Sequence, residues 1–345
     1  MKQFKIKQKI LPLLTAAVAL AAVFAVAGCR EEAEKSPERV VIAMQSMPND
    51  LMAAKSRCEK ELGTKVIFMP VETGVSANNA LETGHADIAT VGTAPIAAGI
   101  SNGINYEVIW IHNIEGENES LVAKKTSGID SFRDLVGKKV AVPFGSTTHY
   151  SLLSGLKMFD VNPKDVKIVD MKPGQIPGAW NRGEIDAAFV WQPTLGMLRD
   201  AKTVITGRRL AELGIVTADV CVANREFAEK YPHFLQKFIK LQMDAHDTFE
   251  KDPKGAAKDV VNTLNISPDE AINAMSELVW LTDAESLAYL GKGHDKKNLA
   301  HTLKETADFL AETGSIKKAA DYDTFDKAVN GSYAEAAYEM RKQNR

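Results

Sequence analysis

The chain has 345 residues, of which 45% are hydrophobic and 25% charged, with a formal net charge of −3. That is the make-up of an ordinary globular protein long enough for two lobes, and it excludes extended disorder away from the ends. The mildly acidic balance gives no support to nucleic-acid binding.

In chain order, Lys2, Lys5, Lys7 and Lys9 precede an apolar run over residues 10–26 that ends in Val26-Ala27-Gly28-Cys29. A basic stretch, an apolar stretch and small residues before a cysteine make a lipoprotein export signal over residues 1–28. Cys29 then becomes the first mature residue, acylated and anchored to a membrane, with the body outside the cytoplasm. An N-terminal transmembrane helix is the alternative, since the run approaches spanning length. Residues 29–38 read as a charged tether. Removing residues 1–28 takes away four lysines and no acid and leaves a formal charge of −7. Cys58 and Cys221 are far apart and show no CxxC or Cys/His spacing. No metal site and no cofactor is therefore expected, and the two read as buried thiols.

From Arg39 onward short β-rich runs alternate with helical patterns. Val40-Val41-Ile42-Ala43, a helix over residues 50–62, Val66-Ile67-Phe68-Met69, a helix over residues 76–82 and Ile88-Ala89-Thr90-Val91 form one βαβαβ series. The rhythm restarts at Lys139-Val140-Ala141-Val142 and runs to Ala187-Ala188-Phe189-Val190. Each series predicts a parallel sheet covered by helices. Residues 80–91 and 179–190 also align with one another, each with a helix stopped by glycine and an aspartate ahead of a buried strand. After about residue 224 the patterns become helical. Two hinge crossings, near Lys125 and Ala223, predict a clamshell: residues 39–125 and 224–345 in lobe 1, residues 126–223 in lobe 2.

Open parallel sheets bind ligands beyond the carboxyl ends of their strands. The loops there hold neutral hydrogen-bonding groups: Gln45 after the first strand, Thr93 in Gly92-Thr93-Ala94-Pro95, and Ser146, Thr147 and Thr148 where a helix begins. Free amides and the positive end of a helix attract an anion, and hydroxyls add donors; ordinary N-capping accounts for the same residues. Trp191 walls the cleft or joins the core. Glu119 and Asp219 are candidates to hold a cation. His149 reads as a satisfied histidine.

The run Val140-Ala141-Val142-Pro143-Phe144-Gly145-Ser146-Thr147-Thr148-His149-Tyr150-Ser151-Leu152-Leu153, with Val91-Gly92-Thr93-Ala94-Pro95, the 179–191 segment and Asp219-Val220, resembles taurine-binding proteins of bacterial ABC transporters. These lie within the wider sulfonate, nitrate and taurine substrate-binding family. The resemblance covers nearly all of the chain after Arg39. It implies an α/β, two-lobe type II periplasmic-binding-protein fold, a monomer, and a permease with its ATPase subunit as partners. It also implies a sulfonate held by Thr93 and Ser146–Thr148, and an ammonium held by Asp219 with Glu119 and Gln45. Cys221 stands where an aromatic residue is expected, which reshapes the cation side. Other sulfonates, nitrate or a thiamine-precursor pyrimidine remain as alternative ligands, and a receptor as an alternative partner. A desulfinase-like enzyme would need an activated cysteine beside histidine and arginine in the cleft, and no such motif surrounds Cys221.

Overall fold

The computed structural model describes residues 36–45, 47, 55–292 and 298–343, which belong to one compact unit, Ser36–Arg345. Cys29, the export signal, most of the tether and the start of the first predicted helix lie outside the described residues. Among the described residues no helix is long and apolar enough to cross a membrane.

The β-branched runs form strands because both of their faces are covered. These are β1 (Arg39–Met44), β2 (Lys65–Pro70), β3 (Ile88–Gly92), β4 (Tyr106–Ile114), β5 (Glu119–Lys124), β6 (Lys139–Val142), β7 (Lys167–Asp170), β8 (Ala187–Trp191), β9 (Ala201–Thr206), β10 (Ala218–Asn224) and β11 (Val279–Trp280). They assemble into two sheets, ordered β11-β4-β10-β3-β1-β2 and β7-β6-β8-β5-β9. In the first, β1 runs parallel to β2 and β3 while β10 is antiparallel to β3. In the second, β6 runs parallel to β7 and β8 while β5 is antiparallel to β8. Three parallel strands followed by one reversed strand thus occur twice, and the aligned segments 80–91 and 179–190 lead into the equivalent strands β3 and β8.

The chemistry of that repeat is visible. Gly84 and Gly183 take positive φ of 70° and 75°, the left-handed conformation that ends a helix without a Cβ penalty. Asp87 Oδ2 then accepts from Val41 N of β1 at 2.8 Å, and Asp186 Oδ2 accepts from Lys139 N of β6 at 2.8 Å. Each aspartate ties the start of a middle strand to its neighbour.

The crossings lie earlier than the sequence suggests. β5 pairs with β8 and β9, so the chain has left the first sheet by Glu119 rather than near Lys125. β10 pairs with β3 and β4, so the return is complete by Ala218, and Asp219 lies within a central strand instead of at a hinge. The physical reason is that each sheet recruits its reversed strand from chain that has just crossed over.

The C-terminal helices complete lobe 1. Helix Pro232–Lys251 buries Phe234, Phe238 and Phe249 in the core of the first sheet. Helix Ser332–Gln343 brings in Arg341, 4% exposed, which donates to Asp244 at 2.9 Å, Asp247 at 2.5 Å and Asp283. Arg341→Met leaves three carboxylates near one another, two of them still paired, Asp244 with Lys240 at 2.6 Å and Asp247 with Lys251 at 3.5 Å. Because those carboxylates are a quarter or more exposed and regain water, the expected loss is about 2 kcal/mol, below that of a fully buried pair. A lower urea midpoint at unchanged slope would bear this out, and an unchanged midpoint would contradict it.

Candidate functional site

The strand ends of both sheets face one cleft. Lobe 1 contributes Gln45 after β1, Gly92 at the end of β3 and Asp219 of β10. Lobe 2 contributes Glu119 at the start of β5, Ser146 and Thr147 at the head of helix Thr147–Met158, and Trp191 at the end of β8. Glu115 and Asn118, in the connection between β4 and β5, lie between the two sets.

The cleft is shut. Its enclosed volume is about 10 Å³, room for about one water molecule. A Cβ on Gly92 would stand 2.5 Å from Thr147 Cγ2 of the opposite lobe. At the rim Lys172 lies 3.6 Å from Glu72 across the opening, and Gln192 Nε2 donates to Glu277 Oε2 at 3.0 Å. A ligand therefore enters only when the lobes part.

Helix Thr147–Met158 begins where the sequence places it, and Ser146 caps it: the Ser146 hydroxyl accepts from His149 N at 3.1 Å and donates to Pro143 O at 2.6 Å. Thr148, fully buried, has its hydroxyl 2.8 Å from that of Ser146. These two side chains are spent on the helix end. The amides of Thr147 and Thr148, in the first turn, have no intrahelical carbonyl to meet. Thr93, also fully buried, accepts from Ala218 N at 3.3 Å and stands behind the cleft surface. His149 lies flat against Phe144 with ring centroids 4.4 Å apart, and burial lowers its pKa to about 4. It is a neutral packing group, as its setting in the sequence suggests.

The acidic side of the cleft is the larger finding. Glu115, Glu119 and Asp219 are 2%, 3% and 3% exposed. Thr147 Oγ1 donates to Glu119, and Asn118 Nδ2 donates to Glu115 at 2.5 Å. Burial, reinforced by the charges of Asp219 and Glu119, holds the Glu115 carboxyl well above the usual range. Burial pushes Glu119 up to about 8, with the Thr147 hydroxyl working against it and the charge of Asp219 adding to it. Among the described residues no group of three or more His, Cys, Asp or Glu is placed to hold a metal ion.

Six of the sequence-derived candidates thus meet around one space: Gln45, Glu119, Ser146, Thr147, Trp191 and Asp219. Thr93 and Thr148 stand just behind it. Glu115 and Asn118 were missed; Glu115-Gly116-Glu117-Asn118 reads as a solvated polar turn, and only a long-range fold brings it inside. Cys58 and Cys221 are buried thiols within the core of lobe 1.

Residues 60–256 match the family model described as NMT1/THI5 like. The taurine-binding periplasmic protein of Escherichia coli (strain K12) is 33% identical over 297 residues, spanning 83% of this chain and 90% of that protein. A putative aliphatic sulfonates-binding protein of Bacillus subtilis (strain 168) is 25% identical, spanning 88% and 91%. The solved periplasmic aliphatic sulphonate binding protein SsuA from Escherichia coli superposes with a TM-score of 0.71 at 20% identity, over 88% of this chain and all of that one. The desulfurization enzyme DSZB shares the fold at a TM-score of 0.61 and 13% identity, over 88% of this chain and all of that one, so the fold alone does not separate binder from enzyme. On its matched span and on the extent of its likeness to the taurine-binding protein, this two-lobed α/β chain belongs to the NMT1/THI5-like family.

Proposed function

We propose that this protein is the extracytoplasmic solute-binding component of an ABC importer and that its solute is taurine. The observation that carries the reading is the pairing, in one closed cleft, of a helix head offering neutral donors with three buried carboxylates and, among the described residues, no basic side chain in the lining. A small molecule with a sulfonate at one end and an ammonium at the other matches both halves. The sulfonate meets the Thr147 and Thr148 amides, with the helix dipole behind them, and Ser146 and Thr93 hold that backbone in place. The ammonium meets Asp219 and Glu119, with Gln45 and Trp191 closing the sides. Nitrate or an alkanesulfonate would leave the carboxylates without a cation.

Binding to both lobes favours the closed state, which is the form a permease and its ATPase would receive. Acylated Cys29 would tether a monomer to the membrane from outside the cytoplasm. An enzymatic role has little support in the site: no cysteine, histidine or arginine lines the cleft among the described residues, so a cysteine nucleophile of the desulfinase kind has no place to act.

The test is calorimetric titration of the protein without residues 1–29 against taurine and ethanesulfonate. Taurine is expected to bind with a dissociation constant of about 1 μM, which corresponds to about −8 kcal/mol. Ethanesulfonate, lacking the amine, should bind at least about thirtyfold more weakly. Equal binding of the two would make this a general sulfonate binder, and binding of neither would sink the sulfonate reading.

A further inference from the structure

Glu115 follows the last residue of β4, where the chain leaves the first sheet. Its buried carboxyl lines the same cleft as that of Asp219 on β10, whose charge acts on it, and accepts from Asn118 Nδ2 at 2.5 Å. Asn118 Oδ1 in turn accepts from Gly116 N at 2.8 Å, which fixes the amide's orientation. Carboxylates are acceptors only and repel one another, so buried acids that line one small space favour keeping a proton among them. From the other lobe, Glu119 turns a second oxygen, Oε2, into the same space; it is buried and has no hydrogen-bond partner. Three acids from lobe 1, the crossing and lobe 2 therefore converge where an uncompensated charge is costly.

Among the described residues, the cleft lining supplies no positive charge to this point. The cleft lining adds Gln45, Asn118, Ser146, Thr147 and Trp191. Beyond it, Glu117 on the crossing is paired with Arg208 at 2.7 Å, Glu277 accepts from Gln192, and His112 of β4 is held neutral by burial, with its pKa lowered to about 3. The charges acting on Glu115 are those of Asp219 and Glu119.

We propose that Glu115 completes a three-carboxylate cation subsite with Asp219 and Glu119, and that the ammonium of the ligand enters by displacing protons the acids share, so that binding releases protons to the solvent. The identity of the ligand rests on the taurine reading; the shared protons do not. Without a cation the acids keep protons that the complex does not need, because a bound ammonium supplies both the positive charge and the N–H donors. Burial and the charge of Asp219 raise both Glu115 and Glu119, the latter to about 8, so that protons are held at neutral pH until a cation replaces them. The sign follows: protons compete with the ligand, so affinity rises with pH, by up to about tenfold per pH unit for each proton released. An alkyl ammonium keeps its charge over pH 5.5–8, so the ligand contributes no slope of its own.

The experiment is titration of the full-length protein with taurine at pH 7 in phosphate and in Tris, whose ionisation enthalpies differ, together with dissociation constants from pH 5.5 to 8. The expected result is an enthalpy that differs between the buffers in the direction of proton release. Affinity should tighten by about tenfold from pH 6 to 7, and Glu115→Gln combined with Glu119→Gln should reduce that change to less than about threefold. Taurine binding with the same enthalpy in both buffers and a flat pH profile overturns the proposal. If taurine does not bind, the taurine reading fails instead, and carboxyl-carbon NMR of the ligand-free protein decides the matter. A glutamate carboxyl titrating above pH 6, absent in Glu119→Gln or Glu115→Gln, supports shared protons; side-chain carboxyls that all titrate below pH 5.5 overturn them.

Discussion

Asp219→Asn is expected to weaken taurine binding by about 30- to 1,000-fold, equivalent to about 2–4 kcal/mol, while changing ethanesulfonate binding by less than about threefold. The asymmetry follows from position. Asp219 lies within β10, paired to Gly92 on one side and Asn113 on the other, so its backbone cannot shift to compensate. Its side chain is 3% exposed, and an ammonium brought there has lost its water before it meets its counter-charge. Asparagine keeps the shape and removes the charge, leaving that ammonium short of one anionic acceptor. The remaining acids Glu115 and Glu119 moderate the loss, which is why the upper end of the usual range for breaking a buried pair is not reached. A parallel fall for both ligands would show that Asp219 supports the shape of the cleft and not its charge selectivity.

How much of this was legible in the sequence depends on the distance over which each feature is determined. The two βαβαβ series were legible because their strands are short β-branched runs bounded by glycine and aspartate, and because the second series repeats the first down to Asp87 and Asp186. The head of the helix at Thr147 was equally plain, since Ser146 is a strong local cap. β4 was not anticipated: Glu107, His112 and Asn113 interrupt its apolar pattern, and the groups that accommodate Glu107, and His246 beside the His112 ring, come from far off in sequence. Glu107, for example, accepts from Arg225 at 2.5 Å and from Tyr333 at 3.1 Å. Residue types alone also placed the hinge after the reversed strands rather than before them, because the pairing of β5 with β8 and β9, and of β10 with β3 and β4, is settled by strands far off in sequence. The same limit hid Glu115, whose role exists only once β4 and β10 lie side by side. Cleft residues on the turns after strands were found, and Asp219 through the resemblance; Glu115 and Asn118, brought inside only by long-range folding, were not.

Gly92→Val should cost taurine affinity about a hundredfold or more, about 3 kcal/mol, with little change in thermal stability. Gly92 adopts φ −67° and ψ 154°, a conformation open to any residue, so its role is not one of backbone freedom. Its role is clearance: the three atoms nearest to a Cβ built there all belong to Thr147, the closest at 2.5 Å, and Thr147 sits on the opposing lobe. Thr147 is β-branched, 5% exposed, and committed through its hydroxyl to Glu119, so it cannot swing aside without abandoning the acid it holds. Two further methyl groups on a valine would stand between the lobes and keep them apart. A ligand gripped from both sides then retains the contacts of one lobe, and the preference for the closed state that binding depends on is lost. No lobe 1 atom beyond the chain neighbours lies nearer than 3.7 Å to that Cβ, so the melting temperature without ligand should stay close to that of the parent, while the stabilisation added by saturating taurine should shrink or vanish. Small-angle scattering separates the possible outcomes. A variant that stays extended with taurine present and binds weakly supports clearance at Gly92 as the condition for closure. A variant that compacts and binds like the parent would mean that Thr147 yields, and that the close approach of the two strand ends is incidental to how the cleft shuts.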